Sequence, residues 1–546
     1  MKRITSMKKQ VVVVFVTLTV FFVGTSFKSD FFEIAKQIEI FTTLFKELNM
    51  NYVDETNPAE LMDTAIKSML DDLDPYTRFL NEQDVEDYKI RNEGEYSGIG
   101  ALVRSYDDKL LIVEPYKDFP ADKAGLKAGD EITKIGDVLV ADFKDDASDL
   151  LKGAVNSTVT LTYKRLGKEN TTTLKREDIE VDAVPFYAKV NEKTGYVVLS
   201  RFNRKATSQT KKAIEALKDE GIENLVLDLR GNPGGLLSEA IGVTNLFVPK
   251  GELIVTTKSK VKKFNREYKT KDDPLDTEIP LIVLVDGGSA SASEIVSGAL
   301  QDLDRAIIVG ARSFGKGLVQ RPLKLAYGTQ LKVTISRYYT PSGRSIQALD
   351  YWNRDEKGNA VRVDASQYNA YKTRNGRTVY DGGGVFPDIE IASLKESAIT
   401  KALLADNVVF DYATNYYHNK TINNLNDFVF EQTEYNTFKQ YVSSSGFNYE
   451  TAIEKSLKRT FNDAAIDEYG PAVRSDYEKL LTDIENSKSV ALETYKEEVI
   501  TNLKEEIVKR FFYREGLYNY YLKNDQAITT SSKILNNKSK YESLLK

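Results

Sequence analysis

The chain has 546 residues, 29% of them charged and 41% hydrophobic, with a net charge of −6 and no long basic block. That make-up fits an ordinary folded protein of several domains and gives nucleic-acid binding no support. Cysteine is absent and histidine occurs once, as His418, which removes disulfides and thiol catalysis and leaves a histidine-based hydrolase almost no material.

Lys2, Arg3, Lys8 and Lys9 precede an apolar run from Val11 to Val23. A basic start followed by a short apolar run has the form of an export signal. The run is short for a membrane span. Gly24-Thr25-Ser26 offers a cleavage point, an uncleaved anchor weighs about equally, and the missing cysteine excludes a lipoprotein. Residues 31–90 read as helical, with Ile34, Ile38, Phe41 and Phe45 on a face expected to pack or to pair with a second copy. Further on, Val159-Thr160-Leu161-Thr162-Tyr163 alternates as a half-buried strand does.

Buried strands are predicted at 196–200, 225–230, 281–285 and 305–309. Asp286-Gly287-Gly288 ends the third with turn chemistry, and a helix is predicted from Ala290 to Leu300. Strand, helix and strand in that spacing suggest a βαβ unit. No internal repeat is apparent. Beyond residue 396 the chain reads as mostly helical, with Leu492, Tyr495, Val499, Leu503, Ile507 and Phe511 as a core or assembly stripe. Thr529 to Lys546 is polar and expected to be loose. A lone His418 is expected to be structural or exposed, and a metal site is not supported.

Two segments concentrate the chemistry: Gly288-Ser289-Ala290-Ser291-Ala292-Ser293-Glu294 and Phe314-Gly315-Lys316-Gly317. The serines stand where a helix begins. Unpaired backbone N–H groups there carry partial positive charge and can stabilise an oxyanion. The same run also matches the S-x-x-E capping box, in which a serine only closes the helix end. Upstream, Gly231-Asn232-Pro233-Gly234-Gly235 follows a buried strand. Glycines there let a substrate backbone approach closely, and the Gly234 N–H is a candidate second oxyanion donor. Taken alone, this segment is equally an ordinary loop, and Lys316 alone is a surface lysine in a glycine turn.

Together these segments resemble the carboxyl-terminal processing peptidases, also called tail-specific proteases. The resemblance rests on Leu227–Gly235, Ser289–Glu294, Ala299-Leu300-Gln301-Asp302, Ser313–Gln320 and Tyr338–Gly343, and extends over residues 30–395. It implies that Ser291 is the nucleophile, Lys316 the general base and Gln320 the residue that orients the lysine. Gly234 and Ala292 would supply the oxyanion-hole N–H groups. Asp302 is expected to be structural, and Ser289 and Ser293 to cap or pack. The chain departs from the family at Gly231, where many relatives have asparagine.

The chemistry is coherent from below. Serine attacks only when a base takes its proton. Lysine titrates near ~10.4 and is charged at neutral pH. Burial lowers that value, and a shift of about 3 units corresponds to roughly 4 kcal/mol. Phe314, Leu318 and Val319 are the expected apolar wall.

Residues 94–178 resemble a PDZ domain. Tyr96-Ser97-Gly98-Ile99-Gly100-Ala101 resembles its carboxylate-binding loop, and Phe119–Ile132 its short helix and following strand. Backbone N–H groups of Gly98, Ile99 and Gly100 would hold a terminal carboxylate while the peptide adds as a strand. The expected architecture is multidomain α/β. A mixed-sheet core related to the ClpP/crotonase fold (179–395) carries an inserted PDZ domain, an N-terminal helical region (28–93) and a C-terminal helical region (396–546). A signal or anchor occupies 1–27.

The expected function is an exported, extracytoplasmic serine endopeptidase acting on unstructured C-terminal tails of polypeptides, without metal or organic cofactor. A regulatory adaptor, homo-oligomer formation and N-terminal membrane association stay open. The alternative is a tail-binding scaffold whose protease is latent or lost.

Overall fold

The computed structural model describes residues 31–106, 109–143, 146–355, 358–391, 396–462 and 470–546. The export or anchor segment expected at 1–27 lies outside the described residues. The chain divides into two compact units, Met1–Phe79 and Leu80–Lys546. Among the described residues no helix is long and apolar enough to cross a membrane.

In the first unit residues 31–51 form one helix, and a second helix spans Pro58–Asp71. Asn57 caps the second by accepting the Ala59 N–H at 3.1 Å, and proline begins it, as suits a position whose N–H has no helical partner. Asp74 closes the following turn by accepting the Tyr76 and Thr77 N–H groups, each at 2.9 Å.

The second unit opens with a helix, Glu82–Glu93, capped reciprocally by Asn81 and Asp84 and ended by Gly94 at φ 77°. The segment resembling a PDZ domain follows. Its antiparallel sheet runs in the order Ala101–Tyr106, Lys109–Pro115, Glu131–Ile135, Thr158–Arg165, Lys168–Lys175. Leu110, Ile112, Ile132, Leu161 and Leu174 fill its core. The alternation expected at 159–163 is present, since Val159, Leu161 and Tyr163 face inward.

The central sheet has six strands, in the order Phe186–Asn191, Thr194–Val198, Asn224–Asp228, Leu281–Val285, Ile307–Gly310, Ile389–Glu390. The first pair is antiparallel and the others parallel. Strands 194–198, 224–228 and 281–285 are buried at every residue, which explains why they read as continuous apolar runs. Ala206–Asp219, Leu237–Asn245 and Ala292–Asp302 cover one face. A separate sheet joins Leu318–Lys324, Gln330–Tyr339, Leu253–Lys258 and Arg266–Lys269. Val333, Ile335 and Tyr338 lie on its long strand.

The other face of the core sheet is covered by the C-terminus, which corrects one expectation. Residues expected to be loose form the helices Gln526–Leu535 and Lys538–Leu544. Ala527, Ile528, Ile534, Leu535 and Tyr541 pack on Tyr196, Val226, Ile282 and Leu284. The polar composition misled because apolar residues on one side of short helices suffice to cover a sheet. Upstream, Val499, Leu503 and Ile507 of the predicted stripe are buried among Tyr412, Tyr435 and Phe438, while Tyr495 is exposed. Their helix, Lys496–Asn524, breaks at Tyr513, whose φ of 58° and ψ of −170° are foreign to a helix. At the break the Tyr513 hydroxyl donates to Asp122 at 2.7 Å, and Arg514 pairs with Glu114 at 2.9 Å. The C-terminal region thereby grips the PDZ-like module.

Candidate active site

The turn after the Leu281–Val285 strand is held by Asp286, whose Oδ1 accepts the N–H groups of Gly231 (2.9 Å), Gly288 (2.9 Å) and Ser289 (3.1 Å). The Ser289 hydroxyl donates to the Leu229 carbonyl at 2.8 Å, and Ser293 donates to the Asn232 carbonyl at 2.9 Å. Both flanking serines are therefore buried ties between the serine turn and the glycine loop.

Ser291 lies between them with φ 56° and ψ −109°, a conformation costly for any residue with a Cβ. It is partly exposed, whereas every residue of the helix Ala292–Asp302 is buried. The Glu294 N–H is taken by the Ser291 carbonyl oxygen at 2.9 Å. The Ala292 N–H, at the first position of the helix, has no acceptor among the described residues.

Gly234 packs directly against this turn. A Cβ there would stand 2.7 Å from the Ala290 oxygen and 2.9 Å from both the Ala292 nitrogen and Ser291 Cβ. Its φ of 98° is likewise open only to glycine. The Gly234 N–H is engaged, donating to Asn232 Oδ1 at 2.9 Å. Asn232 is wholly buried, and its amide nitrogen donates to the Leu199 carbonyl at 2.7 Å.

Glu294 is the junction between the serine turn and the lysine loop. Its Oε2 accepts the Ser291 N–H at 2.8 Å and the Lys316 N–H at 2.9 Å, so both backbones converge on one atom. Its Oε1 accepts the Gly315 N–H at 2.7 Å and the Ser313 hydroxyl at 2.6 Å. Burial pushes this carboxyl above the usual glutamate value, and the four donors pull it back only in part. The Tyr338 hydroxyl reaches the Lys316 carbonyl at 2.7 Å and the Ser291 carbonyl at 3.1 Å. Gly315 and Gly317 let the lysine loop lie on residues 347–348, where a Cβ at Gly315 would come 2.3 Å from Ala348 Cβ.

Lys316 is half-buried and Leu318 buried. Phe314 is 42% exposed, so the expected apolar wall lacks one member. The Gln320 amide donates across the hairpin to Thr334 Oγ1 at 3.2 Å. Ser291, Ala292, Gly234 and the Lys316 backbone are thus brought together, while the Gln320 amide is turned to the neighbouring strand. Asp302 sits at the helix end, paired at 2.9 Å with a fully buried Arg344. His418 is half-buried, and desolvation keeps it below its usual value.

Glu294 and Tyr338 were not recognised as links between the two loops. The S-x-x-E match did flag Glu294, but only as a partner of the helix end. A third network was also missed: Arg230 binds Asp228 and Asp525, each at 2.7 Å, and ties the strand before the glycine loop to the C-terminal helices.

In the PDZ-like module Gly98, Ile99 and Gly100 are buried. Ile99 also lines a cavity of about 180 Å³, together with Ala101, Val103, Leu151, Ile90 and Tyr96. The Tyr96 ring lies over Gly98, 2.7 Å from where a Cβ would be. Ile90 comes from the preceding helix Glu82–Glu93, which Lys152 holds by an ion pair with Asp87 at 2.6 Å.

Residues 193–351 match the model of Peptidase family S41, 97–175 the PDZ domain, and 399–535 the C-terminal helical domain of probable PDZ-proteases. A carboxy-terminal-processing protease of Bartonella bacilliformis is 39% identical over 321 residues, 58% of this chain and 73% of that protein. The chain belongs to the carboxy-terminal-processing protease family. A probable CtpA-like serine protease of Staphylococcus aureus is 34% identical over 307 residues, 56% of this chain and 61% of that protein. Among solved structures, a photosystem II D1 C-terminal processing protease is 28% identical, covers 64% of this chain and 86% of its own, and aligns with a TM-score of 0.36.

Proposed function

We propose that this member of the family is an exported serine endopeptidase that binds and cleaves polypeptides at or near unstructured C-terminal tails. Ser291 is the nucleophile and Lys316 the general base. The observation that carries this reading is the convergence of the Ser291 and Lys316 backbones on Glu294 Oε2, with the Tyr338 hydroxyl reaching both carbonyls. The basic and apolar start of the chain supports export.

In this mechanism neutral Lys316 takes the proton of the Ser291 hydroxyl as its oxygen attacks the scissile carbonyl. The carbonyl π electrons move onto oxygen, and the oxyanion is met by the Ala292 N–H and, once released from Asn232, by the Gly234 N–H. Collapse breaks the C–N bond, and the leaving amine takes the proton from Lys316. Water then gives a proton to Lys316 as it attacks the acyl-enzyme, and that proton returns to Ser291 when the acid product leaves. Gln320 turns from Thr334 to orient the lysine. The tail itself adds as a strand in the groove beside Gly98, Ile99 and Gly100.

A second reading, a tail-binding scaffold with a latent protease, is favoured by two contacts: the Gly234 N–H is taken by Asn232 and the Gln320 amide is engaged by Thr334. One experiment separates the two. Wild type, Ser291→Ala and Lys316→Ala are incubated with an unfolded protein bearing an apolar C-terminal tail, and the products are mapped by mass. Cleavage by wild type alone upholds the protease. No cleavage by any of the three, with tail binding intact, upholds the scaffold.

A further inference from the structure

The region past residue 396 holds a cavity of about 290 Å³ that the proposed mechanism does not use. It lies between residues 425–430 and the helix Lys496–Asn524. A straight helix would set Lys504 and Lys523 about 28 Å apart. The break at Tyr513 folds the helix back instead, so that Glu505 on one arm meets the Tyr521 hydroxyl on the other. Both lysines thereby line one space.

The walls divide by chemistry. Leu425, Val429 and Phe430 belong to an apolar side, where the Phe428 and Tyr520 rings meet edge to face with centroids 6.3 Å apart. The other side is cationic. Lys523 Nζ donates to Asn426 Oδ1 at 2.6 Å, and an ammonium has further protons with which to hold a ligand. Lys504 has no acceptor among the described residues. No lining residue is acidic, in a chain whose net charge is −6. Of the acids nearest in sequence, Asp427 does not line the cavity and Glu505 is turned to Tyr521. Two lysines beside an apolar wall, without a counter-ion, suit an anion carried on an apolar body.

We propose that this cavity binds the free C-terminal residue of a polypeptide, at a second site apart from the PDZ-like module. Lys504 and Lys523 take the terminal carboxylate, and the aromatic wall takes the apolar side chain. Two features select a peptide over a fatty acid. The Asn519 and Asn524 amide nitrogens are engaged, donating to the Glu515 carbonyl at 3.0 Å and the Tyr520 carbonyl at 2.8 Å. Their Oδ1 atoms stay available as acceptors for a peptide N–H, a donor that a fatty acid lacks. Val429, 63% exposed, continues the apolar surface outward for the next-to-last residue. The volume lies at the lower end of the roughly 300–1,000 Å³ of small-ligand sites, which suits a terminal residue rather than a long segment. The proposal rests on the reading of this chain as a protein that handles C-terminal tails, since each cut turns an internal amide into a new terminal carboxylate.

The test uses full-length Ser291→Ala, so that the probe is not cut. The probe is a short peptide with an apolar C-terminal residue and a photoreactive benzophenone side chain just before it, made as free acid and as amide. Labelled positions are mapped by mass spectrometry, which separates this cavity from the PDZ-like module. Lys504→Glu and the milder Lys504→Gln are added on the same background, with thermal unfolding as a check on folding.

The expected result is labelling by the acid within 425–430 or 519–524, in addition to the PDZ-like module. The amide and Lys504→Glu should each lower the cavity labelling at least about tenfold, as the loss of a charge-assisted contact does. Labelling of the PDZ-like module should be unchanged by Lys504→Glu. No labelling of the cavity, or equal labelling of it by acid and amide, overturns the proposal, and that comparison needs no change in the cavity itself. Folded Lys504→Glu and Lys504→Gln that both label as the parent does also overturn it. So does displacement of the probe from the cavity by octanoate as readily as by the unlabelled peptide acid. A wild type that cleaves no tailed protein while the cavity is labelled by the acid alone defeats the protease reading and leaves this proposal standing.

Discussion

Glu294→Gln changes one atom at the point where the serine turn and the lysine loop meet. The carboxylate accepts four hydrogen bonds, two at each oxygen. A glutamine keeps one oxygen and puts an NH₂ in place of the other. Whichever way the amide turns, two bonds to a charged acceptor are lost and at least one backbone N–H is left facing another donor, since only the Ser313 hydroxyl can turn to accept. Hydrogen bonds to a charged acceptor are worth about 1.5–3 kcal/mol each, so the gross loss is about 3–6 kcal/mol. Glutamine also spares the cost of burying a charge, which places the net destabilisation near the lower end, about 3 kcal/mol. The Ser291 and Lys316 backbones then no longer share an anchor, and a displacement of about 1 Å costs on the order of 100-fold in rate. Denaturant unfolding and steady-state cleavage of a tailed substrate measure both effects. A positioning role predicts a fall in kcat with KM nearly unchanged, since the tail groove lies elsewhere. A variant that keeps wild-type kcat and unfolds within about 0.5 kcal/mol of wild type would refute the argument.

Further outcomes follow from the same geometry. Because burial raises the Glu294 carboxyl, kcat should fall on acidification through that raised value, as protonation forfeits one of the four donors. Stability should move the other way: the native state binds this proton at higher pH than the unfolded chain, so acidification between the two values favours folding through this group. In Glu294→Gln the part of the acid limb that this carboxyl contributes should be absent, leaving only the fall caused by protonation of Lys316. Gly234→Ala places a methyl 2.7 Å from the Ala290 oxygen at φ 98°, and should lower kcat at least ~100-fold by moving the serine turn; near-normal turnover would count against the packing argument. Tyr338→Phe removes the hydroxyl that reaches both carbonyls, and should cost about 1 kcal/mol in unfolding experiments with roughly tenfold slower cleavage. Asp302→Ala strands the buried Arg344 guanidinium and should destabilise by about 3–5 kcal/mol, read by thermal unfolding.

The buried strands were legible because each is a short run of Val, Ile and Leu with turn residues at its end, and parallel strands covered on both faces must read that way. The serine turn was legible through its glycines and helix-start residues. The C-terminal cover was not: Ala527, Ile528, Ile534 and Leu535 are spread among polar residues, and only the sheet they rest on shows their purpose. Glu294 carried a correct local motif with an incomplete meaning. A capping box describes contacts within a few residues, whereas Gly315 and Lys316 arrive from a distant loop that no local pattern announces. Tyr338 stood out only at the head of the Tyr338–Gly343 stretch, and its reach to two carbonyls depends on how its strand crosses the core. The turned Gln320 depends on a bulge between Val319 and Gln320 that spacing alone does not reveal.

The bond from the Gly234 N–H to Asn232 Oδ1 has a kinetic meaning under the proposed mechanism. A substrate carbonyl arriving in the ground state is a neutral acceptor, as the asparagine oxygen is, and exchanging one for the other gains little. An oxyanion is a charged acceptor, worth about 1.5–3 kcal/mol against about 1 for a neutral one. The loop therefore subtracts the part of the interaction that would tighten mere binding and leaves the part that appears only as charge develops. Asn232 acts as an internal reference against which the transition state is weighed, so the donor rewards reaction rather than occupancy.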